Sequence, residues 1–129
     1  MQQYPPRVLL VVPDQWHRAL LRAQLRELGY DALGAPDLAA GLLYPALEPE
    51  RGPVGLIVVD HGALTPFSDT LLPQLLARHG APAVLIAPAG VSPPGGPWVR
   101  VINRPVSIAE IARVVRELLP ITSPHQPVE

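Results

Sequence analysis

Apolar positions along this chain fall into short, nearly continuous blocks separated by amphipathic stretches. Four blocks stand out, at 8–12, 56–59, 83–87 and 98–102, with a weaker one at 32–35. Each is apolar almost throughout rather than at every second position. That pattern predicts strands buried on both faces, as in a parallel sheet between helical layers.

The intervening stretches predict helices. Asp14 is placed to cap the first. Leu20, Leu21, Gln24, Leu25 and Leu28 form its apolar stripe, and Gly29 ends it. The last helix opens on Ser107 and Glu110, which have capping-box spacing. Ile108, Ile111, Val114, Val115 and Leu118 form its inner face, and Pro120 stops it. Two middle helices are less sharply marked. One runs from Asp37 toward Tyr44, where Pro45 ends it. The other starts near Asp69 or Thr70, which puts Pro73 in the first turn, and Gly80 closes it.

This alternation predicts a doubly wound α/β domain. With five strands it suggests the flavodoxin-like three-layer order 2-1-3-4-5. Chemistry in such sheets gathers at the carboxyl ends of the strands. The expected layout is an N-terminal extension at 1–6, the domain at 7–119 and a flexible tail at 120–129.

Composition narrows the function classes. The chain has 129 residues, 48% hydrophobic and 16% charged, enough apolar material for one core. The net charge of −1 argues against broad binding to nucleic acid or an anionic membrane. There is no cysteine, so disulfides and thiolate chemistry are excluded. No apolar run approaches the roughly 20 residues of a membrane span, and the first residues lack signal-peptide order. A cytoplasmic location is the expectation. All ten basic residues are arginine, and 18 residues are proline, which predicts stiff loops.

The residues at the predicted strand ends resemble the receiver domain of two-component response regulators. Leu56-Ile57-Val58-Val59 runs into Asp60, where receivers carry the phosphoacceptor. The last strand runs into Asn103-Arg104-Pro105-Val106, similar to the family's Lys-Pro-aromatic junction, whose X–Pro bond is usually cis. Gly29-Tyr30 closes the first helix in receiver fashion. The resemblance covers roughly residues 7 to 119.

In that family a phosphoryl group passes from a phosphohistidine to the aspartate, and a magnesium ion screens the two anions. A lysine and a Ser or Thr hydroxyl then hold the phosphoryl group. Here the acidic pair that binds magnesium falls at Val12 and Pro13, the hydroxyl position is Ala87, and Arg104 replaces the lysine. Magnesium thus loses its usual ligands, and only Asp14 and Asp60 remain as candidates. The segment 88–97 holds four prolines and three glycines, so the family's fourth helix is expected to be replaced by a loop.

The candidate site residues are therefore Asp60 as phosphoacceptor, with Arg104 and Pro105 as the phosphate-pairing or switch elements. An Arg104–Asp60 ion pair across the strand ends would fix one state of the switch. Asp14 has the alternative role of helix cap. Arg18, Arg22 and Arg26 recur every four residues on the first helix, either as a solvated face or as a docking surface. His61 follows Asp60, but no second histidine has metal-ligand spacing to it.

The leading functional reading is a stand-alone receiver-like domain in phosphorelay signalling, not an enzyme, with output through protein contact. The resemblance implies a histidine kinase or phosphotransfer protein as partner, and a homodimer through the last helix. The alternative is a phosphorylation-independent pseudo-receiver acting as an interaction or dimerisation module. A third reading, a small α/β nucleotide binder or enzyme, lacks support because no glycine-rich phosphate loop follows the first strand.

Overall fold

The computed structural model describes residues 4–64, 68–90 and 96–121. The elements in chain order are β1 (Arg7–Val11), α1 (Gln15–Glu27), β2 (Asp31–Ala35), α2 (Leu38–Gly41), β3 (Leu47–Glu48), β4 (Gly52–Asp60), α3 (Ser68–His79), β5 (Ala83–Ala87), β6 (Trp98–Asn103) and α4 (Ile108–Leu118). A single 3-10 turn, His61–Ala63, follows β4.

The sheet order is β2-β1-β4-β5-β6, all parallel. It matches the expected 2-1-3-4-5 once the short β3 is set aside. Strand alternation divides the core into two layers. Val8, Leu10, Leu56, Val58, Val84 and Ile86 face α1 and α4. Leu9, Val11, Ile57 and Val59 face α2 and α3. The continuous apolar blocks in the sequence are thus the two-sided burial of β1, β4 and β5.

The helix ends follow their signals. The Asp14 carboxylate caps α1, accepting from the His17 N–H at 2.9 Å. Gly29 leaves α1 at φ 104°, where a β-carbon would be strained. The α4 capping box is complete: Ser107 Oγ accepts from the Glu110 N–H, and Glu110 Oε1 accepts from the Ser107 N–H, both at 3.1 Å.

Five expectations need correction. β4 reaches back to Gly52, because 52–53 pair antiparallel with Leu47–Glu48 in a hairpin. β6 is not buried on both faces: it is the sheet edge, with Val99 52% exposed. α2 spans only Leu38–Gly41; beyond it the Leu43 and Tyr44 amides bond three residues back, tightening the chain before Pro45. α3 already includes Ser68, so Pro73 sits inside the helix rather than in its first turn. Leu20, counted in the inner stripe of α1, is 41% exposed.

No helix forms at 88–90 or 96–97, the described parts of the β5–β6 connection. The centre of that expected loop, 91–95, lies outside the described residues, as does most of the expected tail.

Candidate functional site

Strand register gathers the candidate chemistry at the carboxyl edge of the sheet. Val8, Leu10 and Val12 alternate onto the α1/α4 face, and Leu56, Val58 and Asp60 do the same on β4. Asp60 pairs in register with Ile86, and Ile86 with Ile102. Arg104 lies two residues beyond Ile102. The alternation therefore aims Asp60 and Arg104 to the same side, and β5 is the only strand between them.

The two side chains meet. Arg104 Nη2 donates to Asp60 Oδ2 at 2.5 Å. The other carboxylate oxygen, Oδ1, accepts from the Gly62 N–H at 2.9 Å and caps the 3-10 turn. Both oxygens of a largely buried carboxylate are thus committed. The Arg104 N–H in turn donates to the Ala87 carbonyl at 2.8 Å, which fixes the junction against β5. The Arg104–Pro105 bond is cis, as the resemblance implied.

The remaining elements of the receiver chemistry do not assemble. Val12 is buried among core residues, and Pro13 carries no side-chain donor. Asp14 is spent on capping α1, and the His17 N–H holds its carboxyl below the usual carboxylate range. Ala87 is fully buried and has no hydroxyl. Among the described residues no group of three or more His, Asp or Glu side chains is placed to hold a metal ion. The residues present therefore do not fit magnesium, which needs carboxylate oxygens at open positions.

The three arginines of α1 do not behave alike. Arg18 Nη1 donates to the Val12 carbonyl at 2.7 Å, and its stem packs on Gly34, where a β-carbon would come within 3.1 Å. Arg22 Nε donates to the Ala32 carbonyl at 2.9 Å. Only Arg26 is exposed. The expected solvated face holds at Arg26, whereas Arg18 and Arg22 tie α1 to the Val12 and Ala32 carbonyls.

Two features escaped the sequence reading. Trp16 is 71% exposed and stands one helical turn from the exposed Leu20. Beside them a cleft of about 260 Å3 opens between the start of α1 and the start of α4. Leu20, Leu21, Val106, Ile108 and Ile111 line it, and Asp60 and Arg104 border it. The signal available was the pair of apolar residues, Val12 and Pro13, where the resemblance called for acids.

No protein-family model matches the chain, and no curated protein sequence matches it. Solved structures do. A CheY-like response regulator receiver domain protein from Methanospirillum hungatei is 18% identical, with a TM-score of 0.68 over 88% of this chain and 92% of that one. The non-phosphorylated HemR receiver domain from Leptospira biflexa is 19% identical, with a TM-score of 0.68 over 94% and 99%. The receiver domain of the hybrid histidine kinase CckA is 24% identical, with a TM-score of 0.61 over 88% and 98%. These likenesses show the fold: the chain adopts the receiver-domain arrangement.

Proposed function

We propose that this chain is a receiver-fold signalling module that works through protein contact, held in one state by the Asp60–Arg104 pair rather than switched by phosphorylation. The observation that carries this reading is the commitment of both Asp60 oxygens, one to Gly62 and one to Arg104. A phosphoacceptor oxygen needs an open approach for the phosphoryl group, and the incoming anion needs a cation to screen it. Here the carboxylates that would hold such a cation are replaced by Val12 and Pro13, and a permanent guanidinium is paired with the acceptor.

The reading is non-enzymatic, and it assigns the receiver-like unit to residues 7–119. A signalling protein, such as a histidine kinase or phosphotransfer protein, is the partner class that the fold suggests. Trp16 and Leu20 supply the contact surface on α1, because exposed aromatic and aliphatic groups serve as anchors where proteins meet. Arg18 and Arg22 are engaged within the fold, so they position α1 for that contact.

A magnesium titration followed by two-dimensional amide NMR tests the reading. Millimolar magnesium, alone or with beryllofluoride, should leave the Asp60, His61 and Gly62 amides unshifted. A saturable shift at those amides, lost in Asp60→Asn, would restore the phosphoacceptor reading in its place.

A further inference from the structure

We infer that the cleft between α1 and α4 is a binding site for a small organic anion with an apolar body, a carboxylate or a similar monoanion. This goes beyond the proposed protein-contact role and does not depend on it.

The cleft has the build of a ligand site rather than a packing gap. At about 260 Å3 it lies near the small end of ligand pockets, with room for on the order of ten non-hydrogen atoms. Its walls are mainly aliphatic, from Leu20 and Leu21 on α1 and from Val106, Ile108 and Ile111 at the start of α4, with His17 and Ser107 beside them. An apolar body would bury against these and displace water from them.

Charge selects the head group. Asp60 brings a negative charge to the rim, but each of its oxygens already accepts a hydrogen bond and its side chain is only 12% exposed. The Arg104 side chain is 36% exposed, and among the described residues it spends one N–H, on Asp60. A guanidinium offers five donors in a planar fork. The donors left over at the mouth are those of the more exposed Arg104, and a planar fork of N–H groups suits a carboxylate. Seated there, the anion would share Arg104 with Asp60, so occupancy of the cleft and the state of the ion pair are coupled.

Octanoate is a suitable probe, read by amide NMR on the whole chain. It should shift the Leu20, Ile86, Arg104 and Val106 amides saturably in the millimolar range. Acetate, with the head group alone, and octylamine, with the opposite charge, should each bind at least about tenfold more weakly. Arg104→Gln should weaken octanoate by about tenfold, and Val106→Trp, which fills the cleft, should abolish binding. Asp60→Asn should tighten it, because a competing acceptor charge is removed. If Arg104→Gln does not fold, the Val106→Trp and Asp60→Asn results decide. Shifts that never saturate, equal binding of octylamine, or shifts confined to Trp16 and the outer face of α1 would overturn the proposal.

Discussion

Removing either member of the Asp60–Arg104 pair perturbs both the stability of the domain and the proposed lock, so the strength of the pair can be measured. Exposed ion pairs contribute about 0.2–1 kcal/mol, whereas breaking a fully buried pair costs about 3–5 kcal/mol. This pair lies between those limits: the Asp60 side chain is 12% exposed and the Arg104 side chain 36%. Solvent screening at the arginine lowers the figure, and the burial of Asp60 and the Gly62 bond that orients its carboxylate raise it. We expect a coupling of about 1–2 kcal/mol in a double-mutant cycle of Asp60→Asn, Arg104→Gln and the double variant. For a domain of this size that corresponds to a Tm change of about 3–8 °C. Urea unfolding followed by circular dichroism gives the four stabilities needed. The double variant should be less destabilised than the sum of the singles. A coupling below about 0.3 kcal/mol, within the additivity of independent sites, would refute the claim that the pair holds the site.

Two further outcomes follow from the same packing. Arg22→Ala should cost about 1 kcal/mol because it leaves the Ala32 carbonyl without its donor, whereas Arg26→Ala should change stability by less than about 0.5 kcal/mol; chemical denaturation of the two variants compares them directly. His79 is buried between α3 and α2, and burial pushes its imidazole below the ordinary value, opposed by the Gly41 carbonyl and reinforced by the nearby Arg78 and Arg7 charges. The unfolded chain then takes up this proton before the folded one does, so stability should fall as pH drops through about 6.5, by at most about 1.4 kcal/mol per pH unit. Urea midpoints at pH 8 and pH 5.5 measure the loss, and His79→Gln should reduce it.

The elements whose identity rests on local chemistry were legible in the sequence. Capping at Asp14 and Ser107 and the glycine stops at Gly29 and Gly80 act within a few residues, and they hold as read. The Asp60–Arg104 pair was also legible, because the parallel order of β4, β5 and β6 brings their carboxyl ends together. What escaped depends on neighbours that periodicity does not encode. Residues 98–102 read as a buried strand because Trp98, Val99, Val101 and Ile102 are apolar, yet among the described residues no strand pairs on their far side. Arg18 and Arg22 read as solvated because charged side chains at helical spacing usually are. Their long stems instead reach the Val12 carbonyl just past β1 and the Ala32 carbonyl on the free edge of β2. The cleft was hidden for a related reason: Leu20 fits the inner stripe of α1, but the gap beside α4 leaves it at a rim.

The central claim is that Asp60 is locked rather than a phosphoacceptor. Its most direct test is intact-mass spectrometry of the protein after incubation with acetyl phosphate and magnesium, alongside Asp60→Asn. The account predicts no phosphoryl adduct on the wild-type chain. An adduct that forms on the wild type and is absent from Asp60→Asn would contradict it.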